Sequence, residues 1–363
     1  MIFALISIFA VAMMHYYHNS FAYDSFGYME NANYIMGKEI AFNSDRISLS
    51  PFFVAPVMGN FLILYMYYSL LTFLTLLTIV KIVEYFNPKN QEYLLFFVIP
   101  SYTTYILTSV LQEAFAMLFM SLSIYYLLKK KYISAMCLIT ICALSRPAMI
   151  AFLPGFVLAL LFYKYIFDDI DSNLFFSSFY NSFLNNFNKL FLYGLFCIFI
   201  FLVIVALYTI LLSFFFTDPF ISYKVLSSRW DHDWKFIISY PSFWFSLFGI
   251  FFSPVIIYCY YKIYTLDKRW TVFFLLLFLT YMLLIWYQAN IRYLIYLVIP
   301  IMLGFSQIDL TDFKNRTKVL TLILFIFSTL YIYGPIIYYY DPMVRNRVIS
   351  LSYKPFHCCP NVD

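Results

Sequence analysis

The chain has 363 residues, of which 64% are hydrophobic and only 11% charged, with a formal net charge of +5. A water-soluble domain needs about a quarter of its residues charged, so this composition excludes one and points to a chain dissolved in a lipid bilayer. The apolar runs are continuous rather than alternating, which excludes a membrane β-barrel and leaves an all-α bundle forming a single integral membrane domain over 1–363.

A helix needs about 20 apolar residues to cross the hydrocarbon layer. The first run, 2–15, has no basic stretch ahead of it and no small-residue cleavage site, so it reads as a retained first helix. Residues 16–57 form a long first outer loop carrying Asp24, Glu30, Glu39, Asp45 and Arg46. Inside it, Ser25–Gly37 has the composition of an amphipathic helix lying in the membrane interface. Spans follow at 58–80, 93–111, 114–128, 133–145 and 148–163. Residues 164–189, with Asp168, Asp169, Asp171 and many Asn and Ser, read as a solvated connection. The next span is 190–213, then a second large outer loop at 214–242, then spans at 243–261, 271–287, 293–305 and 319–335. Residues 336–363 form a C-terminal tail. Several of these runs are short, so the total is about ten or eleven crossings.

The basic residues fix an orientation. Lys81, Lys89, Lys129, Lys130, Lys131, Lys164, Lys189, Lys262, Lys268, Arg269, Lys314, Arg316 and Lys318 fall on one side of the alternation, against the fewer Lys38, Arg46, Arg146, Lys224, Arg229, Lys235 and Arg292 on the other, with Arg345, Arg347 and Lys354 in the tail. Cytoplasmic loops carry the excess of Lys and Arg. The N-terminus is then cytoplasmic, both large loops and the C-terminal tail are external, and the protein sits in the cytoplasmic (inner) membrane. The positive charge is an orientation signal, and no nucleic-acid partner is expected.

Ionisable groups at membrane depth are costly, so the isolated ones carry information. Glu113 stands where the third span turns into the fourth, Arg146 precedes Pro147 between two short runs, and Arg292 arrives at a later turnaround. In the predicted topology all three reach the outer end, where Asp24 also lies. Two carboxylates and several guanidinium groups at one end suit a lipid-linked phosphate substrate. The guanidinium fork matches phosphate oxygens, and a carboxylate beside it can take the proton from an incoming hydroxyl. Each residue also has a plainer reading: Asp24 as a solvated loop acid, Glu113 as a partner of a helix N-terminus, Arg146 and Arg292 as headgroup anchors. Asp231-His232-Asp233 reads as a polar loop, and His357-Cys358-Cys359 lacks further ligands at workable spacing. No metal ligand is assigned, and a divalent cofactor is left open. No phosphate-binding glycine loop and no Ser-His-Asp pattern is present.

The order of these residues resembles a family. Asp24-Ser-Phe-Gly-Tyr28 with Ala32, Gly37 and Pro51 looks like the first outer loop of the GT-C membrane glycosyltransferases. Gln112-Glu113-Ala-Phe is similar to that family's second acidic position, and Leu144-Ser-Arg146-Pro147 resembles its Leu-Thr-Arg-Pro segment. Arg292-Tyr293 through Pro300 resembles its late Arg-Tyr run. The paired acids often seen in that first loop are absent, since Ser25 follows Asp24. The resemblance implies a GT-C-like fold and sugar transfer from a polyprenyl-linked saccharide donor to a glycan or lipid-linked acceptor. It implies Asp24 and Glu113 as the catalytic acids and Arg146, Arg292 and Tyr293 on the substrate side. Polymerases of the O-antigen type are a close rival, with Arg229 joining Arg146 and Arg292 on the donor diphosphate. A transporter or flippase of lipid-linked saccharide is the alternative of another class. Such proteins tend to show repeated halves, and no internal repeat is visible here.

Overall fold

The computed structural model describes residues 2–17, 23–39, 42–43, 47–86, 104, 107–171, 175–221, 223–224, 254–288, 295–296 and 298–307. Among these residues the chain is all-helical, with no strand. The predicted spans at 93–111 (for most of its length) and 319–335, the larger part of the second outer loop and the C-terminal tail lie outside them.

Helix α1 is Ile2–Tyr17. In the first loop, α2 covers Tyr23–Ile35 and the short α3 covers Ser50–Val54, continued by a 3-10 turn, Ala55–Val57. Then come α4, Phe61–Phe86, and the hairpin of α5, Gln112–Leu128, with α6, Tyr132–Ser145. A 3-10 turn at Pro147–Ala151 leads into α7, Phe152–Tyr165. The long α8 is Phe175–Ser213, and α9, Pro254–Leu266, α10, Lys268–Gln288, and α11, Val298–Ser306, complete the set. Among the described residues three stretches are long and apolar enough to cross a membrane: Phe61–Phe86, Pro147–Tyr165 and Ser177–Ser213. Helices α5 and α6 are apolar but shorter, at 17 and 14 residues.

Several hydroxyl side chains inside the helices are satisfied locally. Ser69, Thr72, Thr75 and Thr78 of α4 each donate to the carbonyl four residues back, at 2.8 Å. Thr140 and Ser145 of α6 do the same. A hydroxyl that bonds its own helix needs no water, which is what an apolar surrounding demands.

Packing follows chain order at first: α1 lies on α4, α4 on α5, and α5 on α6. Helix α7 then packs against α10, α9 against α11, and α11 returns to α4. The α5–α6 hairpin gives the bundle two ends. At one end are the Lys129-Lys130 turn and an aromatic cluster around Trp270, whose indole packs on Phe86, Tyr163, Phe167 and Phe273. Arg269 clamps Asp267 there with Nε at 2.9 Å and Nη2 at 2.7 Å, and donates through Nη1 to the Phe167 carbonyl. At the other end are the first turn of α5, the last turn of α6 and the first outer loop.

Two expectations change. The stretch 175–189 is not a loose connection: it forms the first turns of α8, held down by Asn186, which donates to the Tyr165 carbonyl (3.1 Å) and to Asp169 (3.2 Å). Helix α2 forms where it was predicted, but it does not present one apolar face to an interface. Tyr28, Met29, Asn31, Ala32 and Asn33 are all buried, so several sides of the helix are covered by protein.

Candidate functional site

The turn into α5 is tight. Val110 takes the left-handed conformation at φ 57°, and Leu111 is extended, so the helix starts abruptly at Gln112. No side chain caps this end, and Glu113 places its carboxylate in the first turn, where the helix dipole favours negative charge. Helix α6 ends in the opposite direction beside it. Its last residue, Ser145, is followed by Arg146 in an extended conformation, and Pro147 stops the α-helix from continuing.

These two helix ends bring Glu113 and Arg146 together. Nη2 of Arg146 lies 2.9 Å from Oε1 of Glu113, and the two residues are 4% and 1% exposed. Nη1 of Arg146 donates to the Tyr296 hydroxyl at 2.8 Å, and the guanidinium carbon stands 5.4 Å from the centre of the same ring. Tyr296 is fully buried and comes from the segment just ahead of α11. Three distant pieces of chain therefore meet in one charged cluster. Tyr68 of α4 lies within electrostatic reach of Glu113 and of Tyr28 on α2.

The first outer loop covers this cluster through hydrogen bonds to both helix ends. Ser25 donates to the Ser109 carbonyl (3.0 Å), and Gln112 donates to the Ser48 hydroxyl (2.6 Å). The Leu49 amide donates to the Leu144 carbonyl (3.0 Å), and the Ser50 hydroxyl to the Ser145 carbonyl (2.7 Å). From the far side Tyr223 donates to the Ala143 carbonyl (3.0 Å). A second, small core of Ile47, Leu144, Tyr208, Leu212 and Phe216 ties this roof to the end of α8. On the segment after α8 Asp218 accepts from Lys224 at 2.5 Å, and that bond holds its carboxyl below the ordinary value.

Of the residues expected from sequence, Glu113 and Arg146 are joined directly. Asp24 is the second residue of α2 and precedes Ser25, which contacts the strand of chain leading to Glu113; its side chain lies outside the described atoms. Arg229, Arg292 and Tyr293 also lie outside the described residues, as do Asp231-His232-Asp233 and Cys358-Cys359. Among the described residues no group of His, Cys, Asp and Glu is arranged to hold a metal ion. Tyr296 was not singled out from sequence. It falls in the same Arg292–Pro300 run, but it is one of 36 tyrosines and nothing in its immediate neighbours marks it.

Chemically, the cluster is a carboxylate, a guanidinium and a phenol removed from water. Isolated charges in such a place are prohibitive, and pairing with added hydrogen bonds is what makes them tolerable. A guanidinium held this way is a preorganised recogniser of planar or tetrahedral oxyanions. A plain structural tie between α5, α6 and the segment before α11 would use the same contacts. No family model, no curated protein and no solved structure matches the chain.

Proposed function

We propose that the chain is a polytopic, GT-C-like membrane glycosyltransferase or polymerase. It would move sugar units from a polyprenyl-(di)phosphate-linked donor to a glycan or lipid-linked acceptor, on the outer face of the cytoplasmic membrane, in the assembly of cell-surface polysaccharide. The observation that carries the reading is the buried Glu113–Arg146 pair under the first outer loop, at the end of the bundle away from the lysine-rich turn. In this reading Arg146 binds the donor phosphate, joined by Arg229, Arg292 and Tyr293, Asp24 is the general base that takes the acceptor proton, and Glu113 is the second acid of the site. Phosphate and carboxylate compete for one guanidinium fork, so donor binding and loosening of the Glu113–Arg146 pair go together. As the acceptor oxygen bonds the anomeric carbon and the sugar–phosphate bond breaks, the negative charge growing on the leaving phosphate stays against the guanidinium, as transition-state stabilisation requires.

The test is turnover in proteoliposomes with a labelled lipid-linked saccharide. A new glycosidic bond is expected with the native chain, and Asp24→Asn should lower the rate by about a hundredfold or more, since the amide cannot accept the proton. Movement of intact donor between leaflets with no bond formed would replace the reading with that of a flippase.

A further inference from the structure

Arg146 is held at both ends of its fork, and the partner opposite Glu113 is a tyrosine that the sequence does not advertise. We propose that Tyr296 is the positioning residue of this site, its hydroxyl and ring fixing the Arg146 guanidinium so that the fork meets a donor phosphate in one orientation. The inference rests on the transferase reading and adds to it a residue with a defined task. Three observations carry it. The bond from Nη1 is 2.8 Å long, the ring stands 5.4 Å from the guanidinium carbon, and the contact joins residues 150 positions apart. Both partners are buried, so water does not substitute for the hydroxyl if it is removed. Arg146 also follows the end of its helix in extended backbone, so the α6 helix itself does not fix its side-chain direction. A long side chain at a helix end samples many rotamers unless something pins it. Glu113 meets Nη2 in an ion pair at 2.9 Å, and the hydrogen bond from Nη1 to the Tyr296 hydroxyl adds a directional anchor at the other tip of the fork. Phosphate recognition by a guanidinium depends on the plane of the fork, so a freely rotating fork recognises donor poorly.

Tyr296→Phe keeps the ring and removes only the hydroxyl. With the native chain as reference, we expect its KM for the lipid-linked donor to rise tenfold or more while KM for the acceptor stays within twofold. A fall confined to kcat, with both KM values unchanged, would overturn the proposal and leave Tyr296 as packing. Stability gives a readout that does not need activity. Tyr296→Phe should lower the melting temperature of the native chain in detergent, because Arg146 loses a buried partner. In a Glu113→Gln/Arg146→Met background the same change should be neutral or stabilising, because the hydroxyl then has no guanidinium to serve. Equal melting shifts in both backgrounds would mean that Tyr296 does not act through Arg146. If the native chain transfers no sugar but the melting shifts differ as expected, the transferase reading falls and the contact stands as a structural clamp, which also ends the positioning role.

Discussion

Lys130 and Gly37 occupy the same kind of position and show what a residue choice costs. Both follow a helix and both have positive φ, 58° and 70°. In each case the amide of the next residue bonds five residues back, Lys131 to Tyr126 and Lys38 to Asn33, closing the helix with a left-handed turn. Glycine adopts this conformation freely, whereas a side chain strains it by about 1–2 kcal/mol. Lys130 is exposed, and its ion pair with Asp168 is a long 3.5 Å surface contact of little worth. Lys130→Gly should therefore stabilise the chain by about 0.5–1 kcal/mol after the larger entropy of the unfolded glycine is subtracted, visible as a raised melting temperature. The buried pair behaves in the opposite way. Glu113→Gln removes the negative charge opposite the buried Arg146 guanidinium and should destabilise by about 3–5 kcal/mol. Adding Arg146→Met should recover much of that loss, so the double variant should melt above the single one. A double variant that melts lower than Glu113→Gln alone would show that the Arg146 charge is compensated elsewhere. The two charged members of the cluster were legible as isolated ionisable residues in apolar sequence. Their burial was not, because a residue at the end of a span reads as outward-facing until the loop above it is placed.

At the scale of elements, the α9–α11 contact depends on one missing side chain. A Cβ added to Gly304 would meet the Cβ and backbone of Cys259, with the Cys259 carbonyl oxygen 2.8 Å away, so these helices touch backbone to backbone. Small residues permit that approach, and in a bilayer close packing is what holds helices together. Gly304→Ala should force the helices apart and destabilise by about 1–3 kcal/mol. Gly59 supplies the control, since a Cβ there meets nothing within 4 Å and Gly59→Ala should change stability by no more than about 0.5 kcal/mol. Equal effects of the two would mean that the α9–α11 contact is not tight. Helix α8 shows where element reading goes astray. Its 39 residues extend ~58 Å, about twice the hydrocarbon thickness. The apolar run 190–213 was plain in the sequence. The four turns before it were masked by Asn181, Asn185, Asn186 and Asn188, residues that favour turns in isolation. The signal that was present is spacing: Phe179, Phe183 and Phe187 recur every four residues, and Phe179, the partly buried member packed against the core, lies beside Phe162 of α7. Tertiary bonds from Asn186 then favour helix where local propensity alone would not.

The whole molecule separates two kinds of surface. One end gathers Lys129, Lys164 and Arg269 among aromatic rings: Lys164 stands 3.2 Å from the Tyr193 ring centre, and Lys129 5.9 Å from that of Tyr85. The other end holds the Glu113–Arg146–Tyr296 cluster under the first outer loop. Because α5 and α6 join the two directly, the ends cannot both face the same compartment if the hairpin crosses the bilayer. The charge bias of the loops predicts a cytoplasmic lysine-rich end, because positive loops are retained there during insertion. Lys38 and Lys131 are both exposed and mark the two ends, the first at the close of α2 and the second at the α5–α6 turn. Cysteine placed at each reports its side through a maleimide that does not cross membranes, measured against the chain without the added cysteine. Lys38→Cys should label in intact cells, and Lys131→Cys only after the membrane is permeabilised. The reverse pattern would put the cluster on the cytoplasmic side. There the outer-face transfer from a polyprenyl-linked donor loses its compartment, and the buried Arg146 has to be explained by chemistry drawn from the cytoplasm or by packing alone.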